Sequence, residues 1–179
     1  MSDDWKLLNT STASGASSVS FTDLTGYKIF KFVCIDMFPS VSAQNFGFQV
    51  NASGGSGFNE TITSTFFDAD HTETGTGALQ YETGDDQAQG TAYQRLTRAT
   101  GGDADATCAG ELFLFNPAST TYVKHFYGRF NEYFSASPRT LDNFIGGYVN
   151  TTTALTEIDF KFFTGTVTGV IKQYGLVAT

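Results

Sequence analysis

A chain of 179 residues has the length of one domain, and a domain of that size hides roughly 70% of its unfolded surface, enough for a core without metal or disulfides. Its 18 Phe and 8 Tyr, with charged residues at only 16%, suit a pleated, half-buried surface rather than helices, which lean on Ala, Leu, Glu, Lys and Arg. Lys and Arg total 10 against 18 Asp and Glu, a net charge of −8, which repels phosphate backbones and argues against nucleic acid as a partner.

The opening Met1-Ser2-Asp3-Asp4-Trp5 has neither a basic nor an apolar stretch, so no secretory signal is expected. A short first strand is expected at Trp5-Lys6-Leu7-Leu8. The Ser/Thr/Gly-rich residues up to position 18 then read as a linker, making 1–18 an N-terminal arm. Residues 27–38 begin in alternation and end nearly continuously apolar, as in a strand covered on both faces. Lys28 and Lys31 read as solvent-facing charges on it, and Pro39 ends it, since proline cannot donate to a ladder. Phe46, Phe48 and Val50 point one way on the next strand, before the turn-rich residues 51–57. Thr61 to Phe67 follows, its threonines favouring extended backbone.

Residues 68–107 change character. Acids among glycines, anchored by Tyr81, Tyr93 and Leu96, predict a loop-rich excursion with short strands near 78–83 and 90–98. Regular strands resume at 110–116. From Tyr122 to Phe134, Tyr122, Lys124, Phe126, Gly128 and Phe130 share one face. In Phe144 to Val149, the pair Gly146-Gly147 predicts a bulge or a close backbone approach. Leu155 to Phe163 and Val167 to Leu176, joined by Thr164-Gly165, read as a hairpin. The spacing predicts one all-β domain over 1–179, an antiparallel β-sandwich or jelly roll of about eight to ten strands with long acidic, Gly-rich loops. No apolar run approaches the ~20 residues of a membrane helix.

The search for chemistry finds no constellation. His71 lies in the acidic region and His125 mid-strand, and no Gly-x-Ser-x-Gly elbow surrounds a serine. Cys34 and Cys108 are expected to be reduced and buried. The row Asp68-Ala69-Asp70-His71-Thr72-Glu73 offers hard oxygen ligands at alternating positions, with Asp85, Asp86, Asp103 and Asp105 able to add more, but it lacks the glycine and distal glutamate of a calcium loop. No metal, cofactor or catalytic residue is assigned. Asp159, beside Phe160, reads as a solvated strand carboxylate, and Tyr81 and Tyr93 as loop anchors or sugar-stacking rings.

Several segments together resemble a family: Trp5 to Leu8, Tyr27 to Phe38, Asn51 to Gly57, and Tyr81-Glu82-Thr83-Gly84. Leu112 to Pro117 with Ser119-Thr120-Thr121, and Ile171 to Leu176, complete the set. The chain resembles small β-domain virion structural proteins of tailed bacteriophages from aquatic bacteria, of the head decoration (cement) or fibre-knob type. The resemblance implies a non-enzymatic virion protein, assembled in the host cytoplasm and binding the major capsid protein or other virion proteins. It also implies a homo-oligomer, by analogy a trimer. The alternative it carries is a carbohydrate- or receptor-binding fibre tip. Trp5, Leu7 and Leu8 are the candidate assembly residues, on an arm that docks at a sheet edge of this molecule or a neighbour.

Overall fold

The computed structural model describes residues 4–176 apart from 104, 135 and 136. The first three residues of the expected arm, Ala104 within the acidic row Asp103 to Asp105, and the last three residues lie outside the described residues. Every described pairing is antiparallel, and no helix is present among the described residues. The all-β sandwich expected from composition and alternation is the fold.

The strands are β1 (Lys6–Ala16), β2 (Val19–Phe21), β3 (Ile29–Pro39), β4 (Phe46–Ala52), β5 (Ile62–Thr72), β6 (Gly77–Tyr81) and β7 (Ala88–Gly90). They continue with β8 (Gln94–Arg95), β9 (Cys108–Phe115), β10 (Lys124–Phe134), β11 (Arg139–Val149), β12 (Leu155–Phe162) and β13 (Val167–Leu176). A 9-stranded sheet runs β1-β13-β3-β9-β10-β11-β5-β6, with β7 also on β5, and a 4-stranded sheet runs β2-β12-β4-β8.

The phenylalanines explain how the two sheets join. Alternation on β3 and β10 turns Phe30, Phe32, Phe126 and Phe130 inward from the large sheet, and Phe21, Phe46, Phe48, Phe160 and Phe162 meet them from the small one. The rings interlock across the gap: Phe48 lies 5.1 Å from Phe126 at 82°, and Phe32 lies 5.3 Å from Phe160. Tilted and edge-to-face contacts of this kind add about 0.5–1.5 kcal/mol each beyond the area they bury. On β3 the inward series Phe30, Phe32, Cys34 jumps to Met37, because Asp36 adopts φ 51 and the register slips between Cys34 and Met37. That bulge is why the end of this strand reads as continuous rather than alternating.

Three expectations are corrected. The Ser/Thr/Gly stretch is not a linker. Lys6 to Ala16 forms β1, paired with β13 from Lys6↔Gly175 to Ala16↔Val167. Both of its faces are largely exposed, so small hydroxyl residues fit it without leaving an apolar alternation to read. The pair β12 and β13 is not a hairpin: Thr164-Gly165 carries the chain from the small sheet to the large one. Each strand buries its apolar face from its own side of the core, through Phe160 and Phe162 on β12 and Val167 and Ile171 on β13. Asp159 is not solvated but 2% exposed.

The excursion over 68–107 is partly regular. β5 extends to Thr72, β6 and β7 pair on its far edge, and β8 pairs with β4. Gly146-Gly147 is a close approach without a bulge. The β10–β11 register is unbroken there, and a Cβ on Gly147 would lie 2.4 Å from the Thr63 carbonyl oxygen.

Candidate functional site

The candidate assembly residues lie on the outer face of the large sheet and at its β1 edge. Trp5 packs edge-on against Phe113, 6.0 Å away, and the Lys31 ammonium sits 4.7 Å from its ring centroid. Leu7 is 48% exposed and lies across from Tyr174. The register slips between Leu7 and Asn9, and Leu8 packs against the core. Trp5 and Leu7 thus share a face, while Leu8 serves the interior.

Strand register extends that face into a row that sequence reading did not assemble. Leu7↔Tyr174, Tyr174↔Lys31, Lys31↔Phe113 and Phe113↔Tyr127 are successive cross-strand neighbours. Beyond Gly146, opposite Tyr127, the row resumes as Arg129↔Phe144, Phe144↔Phe67 and Phe67↔Tyr81. From β1 to β6 it spans about 34 Å at ordinary strand spacing. Phe67 (39%), Tyr127 (50%), Tyr81 (53%) and Leu79 (72%) are exposed, so no second layer covers this face. An aromatic row of this extent, open to solvent though Lys31 and Arg129 cap some of its rings, marks an interaction site more often than scattered exposed rings do.

Ring geometry limits what the row can bind. Phe113 and Tyr127 stack at 4.8 Å and 24°, and Phe67 and Phe144 at 5.0 Å and 6°. These separations match the spacing between strands, so the rings stand upright and cover each other's faces. Arg129 covers Phe144 at 5.1 Å while its guanidinium grips Asp142. Ring edges, the hydroxyls of Tyr81, Tyr127 and Tyr174 and a few charges make up the surface of the row. Such a ridge fits a protein surface better than a sugar, which stacks on ring faces.

The acidic excursion is held by ion pairs rather than presented as ligands. Arg98 bridges Asp68 (2.8 Å), Glu82 (2.8 Å) and Asp85 (3.0 Å). Arg95 also pairs with Asp85, and Arg139 pairs with Asp70 at 2.8 Å. Burial raises the Glu82 carboxyl against the pull of Arg98. Burial alone would lower Arg98, but Glu82, Asp68 and Asp85 hold it above its ordinary value. Beneath this cluster, buried Glu132 accepts from the Arg98 and Ala99 N–H groups, the Thr100 hydroxyl and the Asn143 amide. Its carboxyl is raised by burial, with those donors opposing. Among the described residues no three His, Cys, Asp or Glu stand together as a metal site would require.

The remaining titratable groups are dispersed. Cys34 and Cys108 are free and buried, and burial pushes both thiols up, away from nucleophilic thiolate. His125 touches Tyr148 edge-on. Lys124 shares the inward face of β10 as the alternation predicts, yet it is fully buried, and its ammonium donates to the Thr151 and Thr153 carbonyls. Burial lowers its pKa. Tyr81 donates to Asp86, and Tyr93 to the buried Asp159, which also accepts from Ser20. Among the described residues, no helix is long and apolar enough to cross a membrane.

No known family model matches the chain, and no curated protein sequence does. Among solved structures it is similar to a protein of unknown function from Bacteroides ovatus, at TM-score 0.32 and 7% identity over 63% of this chain and 46% of that one. It is also similar to structures of infectious bursal disease virus. The Gx strain matches at TM-score 0.17 and 12% identity, over 99% of this chain and 43% of that one. The VP2 subviral particle matches at TM-score 0.17 and 12% identity, over 99% and 42%. The chain spans less than half the length of each of these proteins.

Proposed function

We propose that this chain is a non-enzymatic structural protein of a bacteriophage particle, assembled in the host cytoplasm, which decorates the head by laying its large sheet on the capsid lattice. The observation that carries the reading is the uncovered aromatic row from Leu7 to Tyr81. A standard protein–protein interface takes about 800 Å² from each partner, and a face about 34 Å wide and several residues deep is of that size. The occupied ring faces favour the major capsid protein or another virion protein over a glycan on this surface. The two edges of the large sheet support a closed homo-oligomer, by family analogy a trimer. β6 is exposed throughout and has no Lys or Pro to guard its free backbone groups.

The deciding experiment is quantitative mass spectrometry of purified particles. Copies in the hundreds per particle support decoration. A handful or a few tens assign the chain to the tail and overturn it. Sedimentation at micromolar concentration tests the oligomer, and a stable monomer both in solution and on the particle overturns that part.

A further inference from the structure

The opposite side of the sandwich carries a second, smaller feature. On the outer face of the small sheet, register aligns Lys161 of β12, Gly47 of β4 and Arg95 of β8 in one cross-strand row. Gly47 is the key to it. A Cβ there would lie 2.6 Å from the Gln94 carbonyl oxygen and 2.8 Å from Cε1 of Phe163, so the missing side chain is what admits the Phe163 ring between two cations. Arg95 Cζ lies 5.5 Å from the centroid of that ring, and Phe163 remains 37% exposed.

Tyr93 forms the facing wall, and its position is fixed from below. Its hydroxyl donates to Asp159 at 2.8 Å, a carboxylate that is 2% exposed and also bound by Ser20. The loop carrying Tyr93 is tied down as well, because Gln49 donates its amide to the Thr91 and Ala92 carbonyls at 3.2 and 2.9 Å. The Lys161 ammonium rests 4.0 Å above the Tyr93 ring and has no ion pair among the described residues. Ala92, Tyr93, Lys161 and Phe163 line a groove of about 270 Å³, just below the range of sites for drug-sized ligands.

We infer that this groove binds one carboxylate-bearing sugar ring, such as a lone hexuronate residue in an otherwise neutral glycan. The carboxylate meets Lys161, since Arg95 is already paired with Asp85, and the C–H face of the sugar lies on Phe163 and Tyr93. Binding draws the ammonium off the Tyr93 ring, exchanging a half-buried cation–π contact for a charge-assisted hydrogen bond and freeing the ring to stack. An extended polyanion is disfavoured because the molecule around the groove carries a net charge of −8. The inference does not rest on the proposed capsid docking, which uses the other face.

The test is an NMR titration of the isotopically labelled full chain with a glucuronate-containing oligosaccharide. The matched probe is the same oligosaccharide with its carboxyls reduced to alcohols. Saturable shifts centred on Gly47, Tyr93, Arg95, Lys161 and Phe163 are expected, with at least tenfold weaker binding of the reduced probe. Lys161→Met should weaken binding at least tenfold with the unfolding midpoint unchanged, and Lys161→Arg should retain it. No saturable shifts, equal binding of both probes, or indifference to Lys161→Met would overturn the inference. So would equally tight binding of an oligoglutamate peptide, which would make the groove a general carboxylate site. None of these outcomes bears on how many copies the particle holds.

Discussion

At the scale of single residues, the interior holds charges that a Phe-rich sequence does not advertise, and each has a measurable signature. Glu132 is the clearest case. Its carboxyl is raised above the ordinary 4.5 because burial penalises the charged form more than its donors favour it. A carboxyl raised in the fold keeps its proton to higher pH than in the unfolded chain. Its contribution is therefore most favourable below the ordinary value and declines as pH climbs from 4.5 toward the raised value. Chemical denaturation across that window should show the decline in the wild type and its loss in Glu132→Gln. The variant should also be less stable at every pH by about 1–3 kcal/mol, since an amide cannot accept from all four donors. Arg98→Met makes the complementary case. It leaves Asp68, Glu82 and Asp85 facing one another and should cost about 3–5 kcal/mol near neutral pH. Acidification should restore part of the loss as the Glu82 carboxyl, which burial already raises, takes up its proton. None of this network was legible in the sequence, because Arg98 and Asp68 meet across 30 positions and nothing local marks them as partners.

At the scale of elements, alternation revealed which face of a strand turns inward, but not which strand it meets. The inward face of β10 was readable from Phe126, Gly128 and Phe130, and even Lys124 followed the parity. The junction at Thr164-Gly165 shows the limit, because a two-residue turn between apolar strands reads the same whether the chain folds back in one sheet or crosses to the other. β1 shows another, since an edge strand exposed on both faces has no apolar alternation to detect. The adjacent glycines of β11 separate packing from conformational freedom. Gly147 abuts Thr63, Ser64 and Phe126, whereas a Cβ on Gly146 would meet only the Thr65 hydroxyl, 3.9 Å away. Gly147→Ala should therefore destabilise by about 1–3 kcal/mol or more through overpacking. Gly146→Ala should be neutral or slightly stabilising, because Gly is a poor strand residue. Thermal unfolding of the two variants side by side decides it. Equal effects would mean that backbone freedom, not the close approach, selected this pair.

At the scale of the whole molecule, the two outer faces are unequal. The small sheet's outer face is partly covered by the 91–93 loop, held there by Gln49 and Asp159, while the large sheet leaves its aromatic row open. Sequence reading found individual rings of that row but not the row itself, because its members come from strands far apart in the chain and only register aligns them. Stacked cross-strand pairs contribute about 0.2–1 kcal/mol each to a sheet, so the row stabilises the fold to some degree whether or not it binds anything. The two roles are separable. Tyr127→Ser with Phe67→Ser removes one ring from each stacked pair and leaves the buried Phe core untouched, so the loss of stability should be about 1–2 kcal/mol. Docking on a capsid lattice should suffer far more, because exposed aromatics near the centre of an interface carry about 2 kcal/mol or more apiece when they act as anchors. Purified variant and wild type, added to undecorated heads and separated by sedimentation, should differ in bound protein by at least tenfold. The variant should remain folded, as judged by an unchanged near-native amide spectrum. If the double variant binds heads like the wild type, the aromatic row only strengthens the sheet, and the docking surface lies elsewhere.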